Sequence, residues 1–261
     1  MNALAVGLTV PFMGTLIGAS AVLFMRGAIK SYAQKALLGF ASGVMVAASV
    51  WSLLMPSMAL RAPMGEGWQM VMPAAVGFLL GMLFLLMVDR FTPHLHLGDD
   101  HPEGVSSHLS RTVMMALAVT IHNLPEGMAV GVVLAGAAAG DAPLSMAGVV
   151  AVATGIAIQN IPEGAIVALP LMAAGNSRGK AFAIGVLSGL VEPLGCALVV
   201  MLSAWLTPVL PYMLAFAAGG MMFVVIEELI PEASVGSHSN VSTVGFAIGF
   251  VLMMVLDVVL Q

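Results

Sequence analysis

Eight apolar runs, separated by short polar or turn-forming segments, constrain this chain more than any other feature. They lie near 4–25, 36–60, 70–88, 112–139, 144–173, 181–206, 209–230 and 241–260. Each is long enough to cross the hydrocarbon core of a bilayer, which takes roughly 20 residues as helix. Only helices or closed barrels can span that core, because every backbone N–H and C=O must be satisfied internally. Runs of this length, with no alternation of polar and apolar residues, are helical runs. Charged residues make up 8% of the chain and apolar residues 60%, with a mean hydropathy of +1.06. A water-soluble chain carries roughly 25% charged residues. The expectation is an all-α integral membrane protein built as one transmembrane unit over residues 1–261.

The basic residues orient the runs. Arg26, Lys30, Lys35, Arg90, Arg111, Arg178 and Lys180 all flank the loops after the first, third and fifth runs, and Arg61 alone lies elsewhere. Positive flanks stay in the cytoplasm. Both termini therefore fall on the extracytoplasmic side, and the polar insertion at 91–110 is cytoplasmic. No basic region precedes the first run, so 4–24 is read as a retained helix and not a cleaved signal. The fourth and fifth runs exceed what a span needs, which calls for tilt or kinks.

Several classes are disfavoured. A net charge of −5, with acids inside apolar runs, gives no basic surface for nucleic acid. The lone Cys196 leaves neither a disulfide nor a CxxC zinc site. There is no HExxH protease motif and no GxxxxGK[ST] phosphate loop. No lysine lies within a run to form a retinal-type Schiff base.

The chemistry sits in two copies of one motif. The fourth run contains His122-Asn123-Leu124-Pro125-Glu126-Gly127 and the fifth Gln159-Asn160-Ile161-Pro162-Glu163-Gly164. Ionisable groups at membrane depth are expensive and mark function by default. Residues i and i+4 share a helix face, so His122 pairs with Glu126 and Gln159 with Glu163. If the two helices pack, an imidazole, an amide and two carboxylates converge, a nitrogen and oxygen set suited to zinc, iron, manganese or cobalt. Pro125 and Pro162 remove the helical partners of the Ile121 and Ile158 carbonyls, and broken helices are a recurrent way to build ion sites in transporters. Glu192, also next to a proline, can join Asn123, Asn160 and Glu163 in an adjacent oxygen-rich site. Glu227, Glu228 and Glu232, with His238, are candidates for an exit path. In the insertion, His94, His96, His101 and His108, with Asp99, Asp100 and Glu103, form either a metal-binding sensor or a solvated loop. Asp89 and Asp257 read as helix-end residues near the interface.

At these residues the chain resembles the Zrt/Irt-like (ZIP) metal transporters, most closely their bacterial GufA-like branch. The resemblance implies a 3+2+3 bundle, with the first three helices related to the last three by an inverted pseudo-twofold and helices four and five at the centre. It places one metal position at His122, Glu126, Gln159 and Glu163, and a second at Asn123, Asn160, Glu163 and Glu192, bridged by Glu163. Many members carry His at the position of Gln159 and some carry Asp at that of Asn160. The neutral amides here imply weaker ligation or a shifted metal preference. The implied activity is carriage of divalent metal, zinc first and then iron, manganese, cobalt or cadmium, into the cytoplasm by an elevator-like motion. The metal is substrate, and no cofactor is expected. The partners are the ion and the lipid of a plasma (inner) membrane, with a homodimer as a candidate assembly. A metal receptor without flux, a metal-dependent membrane hydrolase and a channel are the competing classes.

Overall fold

The computed structural model describes residues 3–25, 29–61, 67–94, 104–106, 108–109, 111–141, 144–173, 175–236 and 239–260. Among them the regular structure is helical, and eight helices are long and apolar enough to cross a membrane. They are α1 (Ala3–Phe24), α2 (Ser31–Ala59), α3 (Trp68–Phe91), α4 (Arg111–Ala139), α5 (Met146–Ala173), α6 (Arg178–Met201), α7 (Leu210–Ser234) and α8 (Val241–Leu260). Two ends differ from the apolar pattern in an informative way. α2 begins at Ser31, so Lys35 lies inside its second turn and is buried, not in the preceding loop. α7 continues past residue 230 to Ser234 and thereby carries Glu232.

The helices pair in a definite pattern. The most extensive contacts join α1 to α5, α2 to α8, α3 to α7 and α4 to α6. Glycine sets each pairing, since without a Cβ two helix backbones can touch. A Cβ on Gly14 or Gly18 of α1 would strike the Ala157 and Ile161 carbonyls of α5. Gly39 and Gly43 of α2 meet the Ser242 and Phe246 carbonyls of α8, and Gly77 and Gly81 of α3 meet those of Tyr212 and Phe216 on α7. Gly127 of α4 lies on the Glu192 backbone of α6.

The expected proline interruptions fall at different places than the motifs suggest. α4 and α5 run continuously through Pro125 and Pro162. The breaks are in α2, α6 and α7. α2 has a π turn at Ser49–Leu54 just before Pro56, and α7 has one at Val225–Leu229 just before Pro231. Pro56 and Pro231 cannot donate to the carbonyls of Ser52 and Glu227, and a widened turn absorbs the lost bond and the ring. α6 is interrupted at Leu190, ahead of Pro193.

Apolar cores lie on both sides of the motifs. Toward the end of the bundle where the chain termini lie, Ala129, Val130 and Val133 of α4 and Val149, Val152, Ala153 and Ile156 of α5 are each at most 2% exposed. Toward the opposite end, Met114 of α4, Val167, Ala168, Leu169 and Leu171 of α5, and Ala19, Val22 and Ala181 form a second buried cluster.

Candidate metal site

The two motifs meet at the centre of the bundle, in the contact between α4 and α5. His122, Asn123, Glu126, Gln159, Asn160 and Glu192 are all buried, and Glu163 is half-buried because it lines a cavity. Helical spacing turns the motif residues inward. Glu192 is added by the second half of α6, where the break at Leu190 precedes the turn that carries it.

The amide groups define the character of the site. Gln159 Nε2 donates to Glu126 Oε1 at 2.8 Å. Asn123 Nδ2 donates to the Ser188 carbonyl at 3.1 Å, and Asn160 Nδ2 to the Pro11 carbonyl at 3.4 Å. Each amide thus donates an N–H to a protein acceptor. Five buried oxygens are left with no hydrogen-bond donor: Glu126 Oε2, Gln159 Oε1, Asn160 Oδ1, Glu163 Oε1 and Glu192 Oε2. Buried polar atoms are nearly always satisfied, and exceptions call for an explanation. A group of acceptors facing inward without donors is the arrangement a cation needs.

The charges point the same way. Glu163 lies within electrostatic range of Glu126, Glu192 and Glu228. Like charges gathered at low dielectric repel strongly unless a cation or protons neutralise them.

Not every expected residue joins the group. His122 reaches across to α7, where its Nδ1 meets Glu228 Oε2. Among the described residues, no three His, Cys, Asp or Glu side chains stand close enough to hold a metal by themselves. On α7 neighbouring acids face different ways. Glu228 and Glu232 line the cavity with His122, Asn123 and Glu163, whereas Glu227 is exposed on the outer face and away from it. That cavity, of about 40 Å³, has room for a few water-sized particles at roughly 10–15 Å³ each.

The insertion is also corrected in part. His94 is fully buried, with Nε2 2.9 Å from Asp89 Oδ1 and Nδ1 2.8 Å from the Thr92 carbonyl. It ties the end of α3 to the following segment and does not stand in solvent. His108 is exposed. His96, Asp99, Asp100, His101, Glu103 and His238 lie outside the described residues. Asp89 and Asp257 are buried, and Asp257 accepts a hydrogen bond from Ser52 Oγ at 2.8 Å within the π turn of α2.

Sequence reasoning missed the contribution of α1. Thr15 Oγ1 donates to Glu192 Oε1 at 2.6 Å, in a buried contact. Nothing in the sequence singles this threonine out, because hydroxyls in such helices commonly bond their own backbone. Thr120 and Ser42 do so here.

An eight-helix membrane bundle with carboxylates and carboxamides buried at its centre defines a class: polytopic membrane proteins with a polar centre at membrane depth. Comparison with known proteins narrows it. The family described as "ZIP Zinc transporter" matches residues 97–257. The chain is similar to zinc transporter ZIPB of Bordetella bronchiseptica, 40% identical over 95% of this chain and 78% of that protein. It is also similar to human zinc transporter ZIP11, 36% identical over 85% of this chain and 86% of the other, and to zinc transporter GufA of Myxococcus xanthus, 36% identical over 94% of each. The chain belongs to the ZIP zinc transporter family.

Proposed function

We propose that this protein is a carrier that moves divalent transition-metal ions, zinc first among them, across the membrane and into the cytoplasm. The observation that carries the reading is the cluster of Glu126, Glu163, Glu192 and Glu228 at membrane depth, with five buried oxygens that have no donor. Two carboxylates balance one divalent charge, and the amide oxygens of Gln159 and Asn160 complete an oxygen-rich shell. In this reading His122, Glu126, Gln159 and Glu163 serve one ion, and Asn123, Asn160, Glu163 and Glu192 a second beside it. His122 leaves Glu228 to take up the first ion, and Glu228 with Glu232 receives it on the way out.

The position of the cavity supports exit toward the cytoplasm. The cavity runs from Glu163 along α7 to Glu232, toward the end of the bundle that carries the basic loops. By the positive-inside rule that end is taken as cytoplasmic. In this reading the carrier releases its ion to the cytoplasm and both termini lie outside.

The pairings support an inverted repeat. Exchanging α1 with α6, α2 with α7, α3 with α8 and α4 with α5 turns the α1–α5 pair into α6–α4 and the α2–α8 pair into α7–α3. All four are the strongest pairings in the bundle. The π turn before a proline occurs in both α2 and α7, which the same exchange relates. The glycine seams also support motion between two groups. Those in which a Cβ would strike a backbone carbonyl lie within the set α1, α4, α5 and α6 or within the set α2, α3, α7 and α8. Across the two sets, glycines face side chains, as Gly155 faces Met253 and Gly220 faces Pro125. Backbone seams lock helices together, while side-chain contacts can slide.

The test is zinc uptake into proteoliposomes. Wild type moves zinc, Glu163→Ala does not, and a variant lacking His96, His101 and His108 still does. Zinc bound by wild type without flux would overturn the carrier reading in favour of a receptor.

A further inference from the structure

α1 meets the candidate site through the Pro11 carbonyl and the Thr15 side chain, and the second contact has the geometry of a positioning device. The Thr15 hydroxyl is buried and donates to Glu192 Oε1 at 2.6 Å, across a sequence separation of 177 residues. The threonine is held from two further directions. A Cβ on Gly164 of α5 would lie 2.9 Å from Ala19 N and press on the Thr15 carbonyl, and one on Gly189 of α6 would lie 2.6 Å from Thr15 Cγ2. The glycine of the second motif therefore exists to admit Thr15, just as the glycine of the first, Gly127, admits the Glu192 backbone. Thr15 and Glu192 occupy matching places on α1 and α6 and bond to each other where those two helices meet.

The bond leaves one carboxylate oxygen committed and the other available. Glu192 Oε1 is occupied by the hydroxyl, while Oε2 is buried with no donor. Asn160 sits beside this carboxylate, and its own Oδ1 is likewise without a donor. A carboxylate free to rotate would present either oxygen in many directions. One held by a short charge-assisted bond presents a single oxygen in a single direction.

We propose that Thr15 is a positioning residue for the second metal position: its hydroxyl fixes the Glu192 carboxylate so that Oε2 faces the ion shared with Asn160 and Glu163. The role belongs to the oxygen of the side chain and not to its methyl group. This rests on the two-ion reading above, and the variants are chosen so that the two can fail separately.

Two matched pairs isolate the hydroxyl. Thr15 and Thr15→Val share a shape and differ in the hydroxyl, and Thr15→Ser and Thr15→Ala differ in the same way without the methyl. The purified full-length proteins are titrated with zinc, and the same proteins are assayed for zinc uptake in liposomes. Thr15→Val and Thr15→Ala weaken the second equivalent of zinc and raise the half-saturating zinc concentration for uptake roughly tenfold, the usual weight of one hydrogen bond to a charged group. The first equivalent keeps its affinity, and Thr15→Ser stays close to wild type. Adding Thr15→Val to Glu192→Ala changes nothing further, because the alanine leaves the hydroxyl no side chain to position. Equal loss in Thr15→Ser and Thr15→Ala would assign Thr15 to packing and overturn the proposal. So would independent, additive effects of Thr15→Val and Glu192→Ala. If Glu192→Ala itself leaves both zinc equivalents intact, the two-ion reading fails and the Thr15 assignment falls with it. If Glu192→Ala loses the second equivalent while Thr15→Val keeps it, only the Thr15 assignment falls.

Discussion

Replacing Gly127 by alanine tests whether the motif glycine sets the geometry of the site. An ideal Cβ at Gly127 lies 2.7 Å from Glu192 Cα and 2.8 Å from Glu192 C, and closer still to the carbonyl oxygen. Ordinary contact begins at 3.4 Å, and all three atoms are backbone, so no side chain can swing aside. α4 and α6 must separate by roughly 1 Å, the kind of misplacement that costs about a hundredfold in a preorganised site. Overpacking of this sort destabilises by about 1–3 kcal/mol, which leaves the bundle folded. Glu126 precedes Gly127 and Glu192 is the residue struck, so the separation moves the two carboxylates apart directly. The assay is initial zinc uptake into proteoliposomes, with thermal unfolding in detergent as the check on folding. Gly179→Ala is the control, because its Cβ meets nothing within 4 Å and alanine favours the helix it begins. A folded Gly127→Ala protein that transports zinc at the wild-type rate would refute the idea that the α4–α6 seam positions the site.

Other outcomes follow from the same geometry. Glu163→Ala abolishes uptake, whereas removal of His96, His101 and His108 spares it, as measured by zinc flux in liposomes. Acidifying the metal-facing side lowers uptake where binding limits the rate, since the ligands must be deprotonated carboxylates and neutral imidazole; a pH series of initial rates with a rise on acidification would contradict this. Ser52→Ala removes the donor to buried Asp257 and lowers stability by about 1.5–3 kcal/mol, the weight of a hydrogen bond to a charged group. The check is a lower Tm in detergent with the zinc affinity unchanged.

The chain sequence by itself determines the class of this protein. Hydropathy, charge placement and the doubled N-[LI]-P-E-G element are one-dimensional properties. Eight spans follow from run length, and the central carboxylates from acids in apolar sequence. The i and i+4 rule also speaks truly within one helix, where it sets Glu126 and Glu163 on inward faces. It is silent across helices, and there tertiary structure decides. Which backbone carbonyl faces Gly14, Gly18, Gly127 or Gly164 fixes the depth at which one helix lies against another, and that depth brings Thr15 to Glu192 and His122 to Glu228. On α7 helical spacing sets Glu228 and Glu232 on one face and Glu227 on another, and only the packing of α7 decides that the first face lines the cavity while Glu227 is exposed. His94 reads as a loop ligand until the end of α3 offers it Asp89. In each case the deciding quantity is a register between segments far apart in the chain, set by the close packing of small residues, and no local pattern carries it.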